Sequence, residues 1–146
     1  MSVPTWKRST SSADFVYYCF ELNKKLAEVV MKKETKYRKT YGDHLIKTGL
    51  KALSHLQVAN SIFIGKTTSE DEFRQRRAHL KEAIGLVENL STTAYIFLEL
   101  VRNNGRESNE RISNQEEYIG TKCEAIIKKT KGVMKSDEQA HKRYIK

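Results

Sequence analysis

The sequence predicts an all-α fold, an up-and-down antiparallel four-helix bundle, and three observations carry that prediction. Apolar residues recur with the helical period in four separate segments. The single proline, Pro4, precedes all four, so nothing breaks them from inside. The link between the second and third segments, from Ile64 to Ser69, is short, and short links between helices make antiparallel neighbours. At 146 residues the chain is long enough for one such core and too short for two.

Residues 1–11 mix Pro4, Trp6, Lys7 and Arg8 with serines and threonines, a composition that cannot build a core. They are expected to form a flexible basic arm, with the bundle occupying 12–135. Ser11 or Ser12 can cap helix one, whose apolar positions Phe15, Tyr18, Cys19, Leu22, Leu26, Val29 and Val30 follow the 3.6-residue period to an end near Lys33. Residues 32–41 then carry five basic groups against one acid, with Tyr37 and Tyr41 between them. Lys32, Lys33, Lys36, Arg38 and Lys39 read either as a phosphate-binding segment with rings for base stacking or as a solvated helix end, where cations suit the dipole.

Gly42 interrupts the pattern and Asp43 starts helix two. Its stripe is Leu45, Gly49, Ala52, Leu56, Ala59 and Phe63, whose small members let a neighbour approach closely, and it is expected to lie on helix three.

Helix three, Ser69 to Arg102, organises the rest. Phe73, Leu80, Val87, Ala94 and Val101 recur every seven residues, Ala83, Leu90 and Phe97 fill the intermediate positions, and Ile84, Leu98 and Tyr95 widen the stripe. Ser69 with Glu72 reads as a capping box. At about 1.5 Å per residue the helix approaches 50 Å. Arg74, Arg76 and Arg77 share a turn, and Arg76 falls at an intermediate core position, where it must reach an acid, a phosphate or solvent. Gly85 is a weak point unless it permits close packing.

Asn103 to Ser113 reads as a C-cap followed by a polar loop. Helix four carries Tyr118, Ile119, Cys123, Ile126, Ile127, Thr130, Val133 and Met134 on one face and Lys122, Lys128, Lys129, Lys131 and Lys135 on the other. Residues 136–146 are expected to be a frayed polar tail.

The net charge of +9, from 27 basic and 18 acidic residues, points to an anionic partner, of which RNA or DNA is the commonest for a helical chain; a solvated basic surface is the alternative. No uninterrupted apolar run approaches the roughly 20 residues of a membrane span, and no signal segment opens the chain, so a cytoplasmic protein with no membrane partner is expected. The cysteines, both on apolar helix faces, read as reduced core thiols in preference to a disulfide. A di-iron bundle needs a pair of Glu-x-x-His motifs, which the sequence lacks. There is no Gly-rich phosphate loop and no Cys-x-x-Cys. Neither a catalytic residue, nor a metal site, nor a cofactor is expected.

Several stretches resemble a known family: Ser-Val-Pro at the start with Lys7-Arg8, Ala59-Asn60-Ser61-Ile62-Phe63, and Phe73-Arg74-Gln75-Arg76-Arg77 running into Ala83-Ile84 and Glu88-Asn89-Leu90. They resemble the four-helix-bundle family that includes the accessory variability determinant of diversity-generating retroelements and the proteins encoded in ribosomal RNA intervening sequences. The resemblance covers helices two and three best. It implies a bundle that assembles into a homo-oligomeric ring, a pentamer in the accessory proteins, and a basic surface that binds nucleic acid and docks a reverse transcriptase. Without it, the same residues suit a four-helix structural or protein-interaction module.

Overall fold

The computed structural model describes residues 14–145, and among them there is no strand. Four long helices account for nearly all of it: α1 (Asp14–Met31), α2 (Asp43–Ser61), α3 (Glu70–Asn104) and α4 (Asn109–Tyr144). Cross-helix contacts fix their directions. Asn23 of α1 donates from Nδ2 to the Gly49 carbonyl of α2 at 3.0 Å. His44 lies 3.4 Å from Asn89, and His55 lies 2.9 Å from His79, so α2 and α3 run oppositely. Arg102 reaches Glu116 while Arg76 reaches Asp137, and Lys122 reaches Glu21 while Lys129 reaches Asp14. Each helix is therefore antiparallel to its neighbours. α1 packs on α2 and α4, and α3 packs on the same two, so α1 and α3 sit on a diagonal.

The core is the heptad stripe with its counterparts. Phe73, Leu80, Val87, Ala94 and Val101 are all buried, as are Ala83, Leu90, Phe97 and Leu98. Leu22 and Leu26 of α1, Leu56 of α2 and Ile126 of α4 complete it. The capping box is formed: Ser69 Oγ accepts from the Glu72 amide at 3.1 Å, and Glu72 Oε1 accepts from the Ser69 amide at 3.0 Å. Cys19 and Cys123 are both free and buried, and burial pushes each thiol up to about 12.

Five expectations change. Phe63 is 79% exposed, because α2 ends at Ser61 and Ile62 turns extended. Tyr95 is likewise exposed and lies on the rim of the α3 stripe. Gly49 faces α1, where a Cβ would come within 2.5 Å of Asn23 Oδ1, so part of the small-residue stripe serves α1 and not α3. The loop expected over 103–113 shrinks to 105–108, since Ser108 Oγ caps α4 by accepting from the Arg111 amide at 3.2 Å. The tail expected to fray continues α4 to Tyr144, with Asp137 paired to Arg76, and His141 2.6 Å from Glu70 and edge-on to Phe73.

α3 also contains an 18-residue window of mean hydropathy 1.3 with at most two charged residues, long and apolar enough to cross a membrane by length and composition. About a third of that window (33%) is buried in the bundle.

Between α1 and α2 a single helical turn, Thr35–Tyr37, leads into a π-helical turn, Arg38–Gly42, that runs directly into α2. Gly42 is buried there, where a Cβ would stand 2.7 Å from Val30 Cγ1. Only glycine lets the end of α1 and the start of α2 approach so closely.

Candidate nucleic-acid interface

The candidate cations divide by what they touch. Lys7 and Arg8, with the rest of the expected arm, lie outside the described residues. Lys33 is buried at 6% exposure, pairs with Glu107 and donates to Gln115 Oε1 at 3.0 Å. Desolvation lowers its pKa, opposed by Glu107. This lysine anchors the 32–41 segment to the α3–α4 connection and has no free ammonium to offer a phosphate. Arg76 is similar: Nε donates to Asp137 at 2.6 Å, and Nη1 to the carbonyls of Ala59 at 2.9 Å and Ile62 at 3.1 Å. Of the three routes open to an arginine at a core position, it takes the acid, and it closes the C-terminal end of α2.

The basic segment changes meaning as well. Tyr37 and Tyr41 pack against the core, and the Tyr37 hydroxyl is buried without a partner among the described residues, so these rings are not presented for stacking. Lys32 and Lys39 remain exposed and outside any ion pair among the described residues. Lys36 is exposed, with Glu34 at 3.9 Å, and Arg38 is half-buried and donates to Thr35 Oγ1 at 3.2 Å.

Arg74 and Arg77 are exposed beside a cavity of about 280 Å³ between the start of α3 and the end of α4. Its rim also carries Glu70, Asp137 and Glu138, which offset their charge. Glu138 and His141 do have the Glu-x-x-His spacing, a single instance without the second motif a di-iron site needs. Among the described residues no group of three or more His, Cys, Asp or Glu side chains could hold a metal.

On α4, Lys128, Lys131 and Lys135 are exposed. Lys122 and Lys129 lie over aromatic rings: Lys122 Nζ is 5.1 Å from the Tyr18 centroid and 5.4 Å from that of Tyr118, and Lys129 Nζ is 5.3 Å from Tyr18. Lys25 of α1 completes the group, 5.2 Å from Tyr118. The structure thus brings Lys25, Lys122 and Lys129 together around two tyrosines on the α1–α4 seam, with Lys32 and Arg111 along the same line. Tyr18 and Tyr118 pack against the core from its flank, as their helical spacing implied, while sequence reasoning missed Lys25 and Arg111. The signal was present: Tyr18 and Lys25 are seven apart on α1, and Tyr118, Lys122 and Lys129 share the matching flank of α4, so an antiparallel pairing apposes them.

Positive charge is absent from much of α3. From Glu82 to Val101, α3 has no Lys, Arg or His. Its outward side chains there include Tyr95, Ile96 and Leu100, which are 58%, 43% and 37% exposed.

Comparison with protein-family models, curated proteins and solved structures finds no match to this chain.

Proposed function

We propose that this chain is a non-enzymatic, nucleic-acid-binding accessory protein of the cytoplasm, one that brings a retroelement reverse transcriptase and its template RNA together for complementary-DNA synthesis. The observation that carries the nucleic-acid part is the division of surface charge. Lys24, Lys25 and Lys32 on and just beyond α1, Lys39 beside them, and Lys128, Lys131 and Lys135 on α4 are outside any ion pair among the described residues, while half of α3 carries no cation at all. These unpaired cations attract a polyanion, and a cation-free helix face is left for protein contacts. The reverse transcriptase partner and a ring of copies, a pentamer by the same likeness, rest on the resemblance of Ala59–Phe63 and Phe73–Leu90.

The mechanism is scaffolding. Holding enzyme and template on one body raises their local concentration without chemistry by this chain. The test is a pull-down with a retroelement reverse transcriptase, with and without nuclease. Association in both conditions supports a direct partner, and association lost to nuclease supports one bridged by nucleic acid. No association from folded protein, with no salt-sensitive RNA or DNA binding, leaves the protein-interaction module, which the cation-free α3 face favours independently.

A further inference from the structure

We propose that the α1–α4 seam is a track for a single strand of nucleic acid, in which Tyr18 and Tyr118 are base-stacking platforms and the flanking lysines hold the phosphates. The proposal rests on the nucleic-acid reading above and narrows it to one strand class and one place.

The seam is an open trough. A cavity of about 490 Å³ around Tyr18 and Lys122 and one of about 340 Å³ around Lys25 and Lys32 share Asn114 and Tyr118, so they lie side by side along the seam. Both tyrosines are half-buried and packed against the core, which holds each ring in place. Lys122 lies 5.1 Å from one centroid and 5.4 Å from the other, so the rings are no more than 10.5 Å apart, the sum of the two. Two fixed rings at that separation suit bases of one flexible strand.

The ammonium groups over the rings are loosely held. Lys122 and Lys129 reach Glu21 and Asp14 only at 3.4 and 3.5 Å, long for charge-assisted hydrogen bonds. A phosphate draws an ammonium off its ring by supplying a stronger partner, and the uncovered face accepts a base. One movement serves both contacts.

Charge alone cannot carry the binding here. Lys25, Lys32, Lys122, Lys129 and Arg111 share the seam with Asp14, Glu21, Glu28 and Glu117, so its net charge is small. Stacking must supply much of the affinity, and a duplex, whose base faces are already occupied, gains none of it.

The test compares short oligonucleotides by fluorescence anisotropy: a single strand in ribo and deoxyribo forms, an abasic strand with the same number of phosphates, and a duplex. The base-bearing strand is expected to bind more tightly than the abasic strand or the duplex, and with a weaker salt dependence; the ribo-to-deoxyribo ratio then identifies the natural strand. Tyr18→Leu and Tyr118→Leu, which keep apolar packing on the core, should each weaken base-bearing strands by roughly 10- to 100-fold and leave the abasic strand unchanged. Tyr18→Phe and Tyr118→Phe should bind as the parent does. Equal binding of base-bearing and abasic strands, or leucine variants that bind as the parent does, would overturn the track and leave the general nucleic-acid reading standing. Binding to none of the four overturns both.

Discussion

His55 and His79 meet across the α2–α3 seam with their Nδ1 atoms 2.9 Å apart and their ring centroids 5.1 Å apart. One nitrogen must donate and the other accept, so the contact requires at least one neutral ring. Burial, then the neighbouring His79 and Lys51, hold the His55 pKa below the ordinary histidine value, with Glu82 opposing. On acidification through the ordinary histidine range the unfolded chain takes up this proton before the folded one does. Stability therefore falls as pH drops below about 6.5 and is regained above it. The melting temperature should decrease between about pH 7.5 and about pH 5.5, and His55→Gln should reduce that decrease. An unchanged pH dependence in the variant would show that the pair has no such role.

Lys33 gives the second prediction. Its ammonium is enclosed while its partner Glu107 keeps 22% side-chain exposure. Glu107→Gln leaves a buried cation with a weaker partner, and should cost about 3 kcal/mol, the low end for a broken buried pair. Lys33→Gln should not change nucleic-acid affinity in protein that folds, whereas Lys32→Gln should weaken it. Denaturant unfolding and a salt titration read the two separately.

Leu90 is fully enclosed at the centre of α3, so Leu90→Ala should destabilise by roughly 2 to 5 kcal/mol in denaturant unfolding. A change under about half a kcal/mol would reject its place in the core. This residue also marks what the sequence made legible. A seven-residue repeat identifies a buried stripe without knowledge of the partner helices, so the α3 core and its capping box were readable in advance. Lys33 and Arg76 were not, because whether a cation is free depends on acids distant in sequence, Glu107 and Asp137. The lysines around Tyr18 and Tyr118 were illegible for a related reason. Period alone cannot separate the centre of a stripe from its flank, and which cations surround the two rings follows only from the α1–α4 pairing.

Two glycines should respond with opposite signs. A Cβ at Gly85 would meet nothing within 4 Å, so Gly85→Ala should stabilise the isolated chain by about 0.5 to 1 kcal/mol through helix propensity. At Gly42 the new methyl would meet Val30 Cγ1 at 2.7 Å, and Val30 is itself buried and stiff at χ1. Gly42→Ala should destabilise by about 1 to 3 kcal/mol. Thermal or denaturant melts of the two variants test the close approach of α1 to α2 directly.

The last prediction concerns self-association. Copies carrying a charge of +9 repel one another, so a surface without cations is the most favourable place for a contact between them. The half of α3 from Glu82 to Val101 is such a surface, and it exposes Tyr95, Ile96 and Leu100. Closing a ring further requires two different patches per copy, since head-to-tail contacts join unlike surfaces. Exposed apolar side chains on other helices, Leu50 and Val58 on α2 and Met31 at the end of α1, provide candidates for the second. Light scattering at tens of micromolar should therefore return a mass well above 16.9 kDa. Ile96→Asp with Leu100→Asp should restore the monomer while leaving the helical signal intact, because both side chains point away from the core. A parent protein that is already monomeric would reject self-association. A parent oligomer unchanged by the double substitution would place the contact on a different helix.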